Sequence, residues 1–113
     1  MNPALQAMLN DTKARYIKAA EQARNAKKRA EGAYEGDPMN GGNFQQWVVM
    51  NYPQLSATYN AYQSAEAAYN AALAQADPNA ATAWQQEAGQ ERSEKSHSSD
   101  EFEKSFIIIT PKA

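Results

Sequence analysis

The chain has 113 residues, 42% of them apolar, no cysteine and a formal charge of −2. That length fits one small domain. Without cysteine there is no disulfide or thiolate metal site, and no run approaches the roughly 20 apolar residues that a membrane-spanning helix needs. Much of the apolar fraction is alanine, and a mean hydropathy of −0.79 points to a soluble protein with a good deal of exposed polar helix.

Asn2-Pro3 is a helix start, because Asn caps a helix and Pro is tolerated at its first position. From there Leu5, Leu9, Thr12, Tyr16, Ala19, Ala23, Ala26, Ala30 and Ala33 recur in alternating steps of four and three. Such spacing is the seam of a coiled-coil helix. No Gly or Pro interrupts it between Ala4 and Glu31, which predicts a helix of roughly 30 residues and ~45 Å. Residues 1–35 carry Lys13, Arg15, Lys18, Arg24, Lys27, Lys28 and Arg29 against Asp11, Glu21, Glu31 and Glu35, a net charge of +3. Residues 36–83 hold Asp37, Glu66 and Asp77 and no Lys or Arg at all. The asymmetry suits two helices that attract each other, or a basic ridge facing an acidic partner.

Gly36-Asp37-Pro38-Met39-Asn40-Gly41-Gly42 is a loop by composition. Asn43 caps a short turn helix from Phe44 to about Met50, and Pro53 opens a second long helix, or kinks it, up to Gln75 or Ala76. Leu55, Thr58, Tyr62, Ala65, Tyr69, Ala72 and Ala76 form its seam, with Tyr52, Tyr59 and Leu73 alongside. Small residues on one helix let the partner backbone approach, and tyrosines fill the remaining space. Asp77-Pro78 begins a weakly amphipathic third helix, which docks by Trp84 and frays after Gly89. The expected fold is therefore all-α, an antiparallel Ala/Tyr-rich helical hairpin over residues 1–88.

Residues 89–101 have no large apolar side chain and are expected to form a polar, mobile linker. Residues 102–113 form an extended apolar tail, in which Phe106-Ile107-Ile108-Ile109-Thr110 is strongly β-prone and has no second strand to pair with. Two segments thus remain as candidate partner-binding sites: Phe44, Trp47, Val48, Met50 and Tyr52 at the turn, and Phe106, Ile107, Ile108 and Ile109 in the tail. The tail suits strand addition to a partner's sheet or to another copy of the chain; the alternatives are packing back on its own helices or being the edge of a larger domain. The turn segment is apolar almost all round, which suits a binding tip or a plug at the bundle end against neighbours such as Leu5 or Trp84.

Catalytic chemistry has little support. His97 lies in the expected linker, no phosphate loop, nucleophile elbow or zinc spacing occurs, and no cofactor is implied. Glu66 interrupts the second seam and, if buried, needs a cation, for which Arg15 or Lys18 is the expected partner. Lys27-Lys28-Arg29 is a short basic cluster spread over several helical faces of an acidic chain, so nucleic acid is disfavoured. The favoured function is a non-enzymatic protein-interaction or assembly module that binds a protein partner or itself. A membrane-active or secreted effector-type hairpin inserting residues 44–52 is the second reading, weakened by the lack of a basic flank. The start Met1-Asn2-Pro3-Ala4 has neither a basic beginning nor an apolar run, so no signal peptide is visible and the compartment stays unassigned.

The length and hairpin plan resemble the small hairpin proteins of type VII secretion, and Tyr62-Gln63-Ser64-Ala65-Glu66 matches their Tyr-x-x-x-Asp/Glu export pattern. Trp47, however, is followed by Val48-Val49 instead of completing a Trp-x-Gly turn. The tyrosine pattern also falls inside the second helix instead of after it. The chain is not assigned to that family on these residues.

Overall fold

A computed structural model of the chain describes residues 2–99 and 101–111. They form five helices: α1 (Pro3–Glu35), α2 (Phe44–Asn51), α3 (Pro53–Ala76), α4 (Pro78–Ser96) and the single turn α5 (Glu101–Ser105). α1 and α3 are the two arms of an antiparallel hairpin. α2 closes the turn end, α4 packs on α3, and α5 lies between α2 and α4. The longest dimension, 55 Å, is close to the ~50 Å expected of a 33-residue helix, so α1 sets the length of the molecule.

The boundaries follow from local chemistry. The Asn2 side chain accepts the Ala4 N–H at 2.8 Å, and Pro3 occupies the first helical position. After Gly36, Asp37 Oδ1 accepts the Met39 N–H and Asn40 Oδ1 accepts the Gly42 N–H, each at 2.9 Å. Gly41 and Gly42 both have φ near +77°, a left-handed conformation that glycine adopts without strain. Asn43 caps α2 through the Gln46 N–H. Pro53 forces the residue before it out of the helical region, and Tyr52 accordingly sits at φ −143°, ψ 60° between α2 and α3. Asp77 caps α4 by accepting the N–H groups of Asn79 and Ala80.

The seams pack as two connected clusters. One joins Tyr16, Ala20 and Ala23 of α1 to Tyr62, Tyr69 and Leu73 of α3, with Ala81, Trp84 and Ile108 against it. The other, at the turn end, joins Ala26 and Ala30 to Phe44, Trp47, Val48 and Leu55, under Phe102 and Phe106. Tyr16 is the hub of the first cluster, with ring centroids 5.7 Å from Tyr62, 5.6 Å from Tyr69 and 6.2 Å from Trp84. A buried alanine removes little apolar surface, whereas each tyrosine removes several times more. In the first cluster the tyrosines therefore supply more of the burial than the alanines, which supply the proximity. In α1 the buried set is Tyr16, Ala20, Ala23, Ala26, Lys27 and Ala30, with Ala20 in place of the expected Ala19 and with Ala33 exposed. A straight helix drifts by about 20° per heptad away from a 3.5-residue repeat, which moves the seam in this way.

Three expectations change at the C-terminal end. Of the extended tail expected over 102–113, residues 102–105 are helical as part of α5, and residues 112 and 113, like residue 100 of the expected linker, lie outside the described residues. The linker expected over 89–101 is helical through Ser96. Gly89 sits inside α4, where one glycine costs only about 1 kcal/mol, and long polar side chains anchor the last two turns. Residues 106–110 form no β pairing among the described residues. They run extended along the helices of their own chain, where Ile108 and Ile109 are buried.

Candidate functional site

Glu66 stands on α3 one helical turn beyond Tyr62, on the face turned toward α1 and α4. Its Oε2 accepts the Tyr16 hydroxyl at 2.8 Å and forms a close ion pair with the Arg92 guanidinium of α4. Arg92, and not Arg15 or Lys18, is therefore the partner. Arg15 instead pairs with Asp11 on the solvent side of α1. The Tyr62 hydroxyl lies 3.1 Å from the same Oε2 and 3.3 Å from the Ile109 carbonyl, and its single proton serves one of them at a time. Its oxygen also accepts the Ile109 N–H at 2.8 Å. One carboxylate thus ties α1, α3 and α4 together and, through Tyr62, holds the tail.

The electrostatics follow from this packing. Burial pushes the Tyr16 hydroxyl far above the ordinary tyrosine range, and the hydrogen bond and charge of Glu66 push it the same way. Burial also raises Tyr62, partly offset by its bond to Ile109. Tyr59 and Tyr69 are raised by burial as well. For Arg92, burial opposes the charge, but the bond and charge of Glu66 outweigh it and the net shift is upward. Held by the Tyr16 hydroxyl and the Arg92 guanidinium, with the Tyr62 hydroxyl within reach, this carboxylate is a structural anchor between the helices.

The tail lies over this node, gripped through its main chain. Lys27 Nζ donates to the Phe106 carbonyl at 3.0 Å, the Tyr59 hydroxyl to the Ile107 carbonyl at 3.1 Å, and Lys95 Nζ to the Ile108 carbonyl at 3.0 Å. Lys27 is only 8% exposed; its stem lies in the alanine seam and its ammonium reaches out to the tail. Arg24, Lys28 and Glu31 join Lys27 and Lys95 around an adjoining groove of about 240 Å³.

At the opposite side of the turn cluster, α2 divides its residues sharply. Phe44, Trp47 and Val48 are buried. Phe44 packs edge-on to Tyr34, Phe102 and Phe106, with ring centroids 5.4, 4.6 and 5.7 Å away. Their neighbours are thus Tyr34, Leu55 and the tail aromatics, not Leu5 or Trp84. Trp47 Nε1 donates to Asp37 Oδ2 at 2.8 Å, and this bond, with the Met39 N–H, holds the Asp37 carboxyl below the usual carboxylate range. The outer face of α2 presents Val49, 69% exposed, and Met50, 82% exposed; Met39, in the loop leading into α2, is 86% exposed.

Of the residues expected to bind a partner, Met50 is exposed, while Tyr52, Phe106 and Ile107 are half-buried. Phe44, Trp47, Val48, Ile108 and Ile109 belong to the interior of the chain. Met39 and Val49 are the additional surface residues. Their signal in the sequence is faint: a Met in a Gly-rich loop, and the alternate face of a helix too apolar to bury all round. Arg92, Lys95 and Lys27 are the additional tail-side residues, and only Lys27, placed within an alanine seam, is conspicuous beforehand. His97 caps the C-terminus of α4 and is exposed. Among the described residues, no three His, Asp or Glu side chains gather closely enough to hold a metal ion, and no helix is long and apolar enough to cross a membrane. Compared with known proteins, the chain matches no family model, no curated protein and no solved structure.

Proposed function

We propose that this chain is a non-enzymatic protein-interaction or assembly module, and that it meets a protein partner through the outer face of its turn segment. One observation carries this reading. Among the described residues, the large apolar side chains left exposed are Met39, Val49 and Met50, all within the loop and helix that close the hairpin. The other large apolar groups among the described residues are buried or half-buried, so leaving these three in water is a local departure. Methionine adapts its shape to a partner surface and is favoured in such patches. The inward half of α2, pinned by the Trp47–Asp37 bond, gives the patch a rigid base.

Membrane insertion of residues 44–52 draws less support, because Phe44 and Trp47 would have to leave the core and no Lys or Arg lies between residues 36 and 83 to meet anionic headgroups. The test is affinity capture from the native host with the full-length chain and with its Val49→Asp/Met50→Asp variant. A protein partner retained by the first and reduced at least tenfold by the second is the expected result. Equal capture by both, with helicity unchanged, would refute the tip as the contact face.

A further inference from the structure

We propose that the groove holding the tail is a binding site for an extended apolar strand, and that it accepts the tail of a second copy of this chain as well as its own. This inference rests on the interaction-module reading but uses a different set of residues from the tip. The grip is on the main chain: side chains of Lys27, Tyr59, Lys95 and Tyr62 reach the carbonyls of four successive residues, Phe106 to Ile109, and Tyr62 also takes the Ile109 N–H. Ile108 and Ile109 fill the floor, and Phe106 stacks edge-on to Tyr59 with ring centroids 5.2 Å apart. Recognition of this kind does not depend on the route by which the strand arrives. A tail from another copy would form the same hydrogen bonds and fill the same floor.

The connection to the tail permits the exchange. α4 ends at Ser96 and α5 begins at Glu101, yet no Gly or Pro occurs from Gln90 to Thr110. Covalent chemistry therefore does not impose the break between the two helices. If α4 continues into α5, the tail is carried away from its own groove. The hydrogen bonds and isoleucine burial broken in cis then form again in trans, which is the low-cost route of domain swapping. Charge favours the encounter. Residues 89–103 hold five carboxylates against Arg92 and Lys95, net −3, whereas residues 1–35 are net +3. The acidic connector of one copy is thus drawn to the basic α1 of the other.

The test is complementation between two full-length variants. Ile108→Asp/Ile109→Asp keeps the groove but cannot seat its tail, and Tyr59→Phe/Tyr62→Phe keeps the tail but weakens the groove. Light scattering after size exclusion should find each variant monomeric and the mixture forming a one-to-one dimer, at least tenfold tighter than wild-type self-association. A mixture that stays monomeric while both variants keep their helical circular dichroism overturns the proposal. Should either variant lose its helicity, the wild-type chain with isotope-labelled isoleucine decides instead. A synthetic peptide of residues 102–113, added up to about 1 mM (the effective concentration scale of a tethered tail), should shift the Ile109 amide resonance to a released position. An unmoved resonance overturns the proposal. Failure here with tip-dependent capture intact would remove only this inference.

Discussion

Replacing Glu66 with leucine removes the one acceptor that serves α1, α3 and α4 together. The Tyr16 side chain is fully buried and loses its carboxylate acceptor, keeping only the Tyr62 hydroxyl beside it, at a cost of about 1–3 kcal/mol. Tyr62 loses less, because its proton can turn to the Ile109 carbonyl 3.3 Å away. The Arg92 side chain is 39% exposed, so it regains water and its lost ion pair counts for roughly 0–1 kcal/mol. The net expectation is a destabilisation of about 2–3 kcal/mol, or roughly 10 °C in Tm, read by circular dichroism in a urea titration. Tyr16→Phe alone should cost about 1 kcal/mol. In the Glu66→Leu background the same change should cost much less, since the hydroxyl it removes no longer has its carboxylate acceptor. Additive costs in this double-mutant cycle would refute the coupling.

Three further outcomes follow from the packing. Ala23→Leu places three extra carbons where α1 meets α3 and should destabilise by about 1–3 kcal/mol through overpacking; an unchanged urea midpoint would argue against the tight seam. Ile109→Ala should cost about 2–3 kcal/mol, since the side chain is fully enclosed, whereas a free tail would lose nothing measurable. The raised tyrosines predict sensitivity to alkali: Tyr16, Tyr59, Tyr62 and Tyr69 keep their protons in the folded chain while the unfolded chain releases them near pH ~10. The stability this contributes is present below that pH and lost as pH rises above it. Tyrosinate absorbance should therefore develop together with loss of helix, and titration of these tyrosines with helicity intact would contradict the assignment.

The helical hairpin is legible in the sequence because its signals are local and periodic. Asn2-Pro3, Asn43 and Asp77-Pro78 mark helix starts by capping chemistry, the Ala and Tyr seams mark the facing sides, and Pro53 marks the break between α2 and α3. The C-terminal third is less legible. Its anchors join residues far apart in the chain, as Lys27 and Phe106 are, 79 positions from each other, and such bonds leave no periodic trace. The segment after Gly89 lacks large apolar residues, so pattern alone gives it nothing to pack with; Arg92 and Lys95 do the anchoring through their polar ends. Phe106-Ile107-Ile108-Ile109 reads correctly as an extended apolar segment. Sequence does not show that tyrosine hydroxyls and lysine ammoniums on helices replace a neighbouring strand as its hydrogen-bond partners. At the turn, an all-round apolar helix signals more than one destination for its side chains, but not which face stays outside.

Residues 106–109 are held on the helices by side chains that reach their main chain, and the rest of the C-terminal architecture depends on that grip. Amide hydrogen exchange at Ile109 in the full-length protein tests it most directly, because that N–H is bonded to the Tyr62 hydroxyl inside the core. Exchange should be slowed by at least ~100-fold relative to an unstructured peptide, and Tyr62→Phe should sharply reduce that protection. Exchange of the Ile109 amide at the unprotected rate would contradict the docked tail.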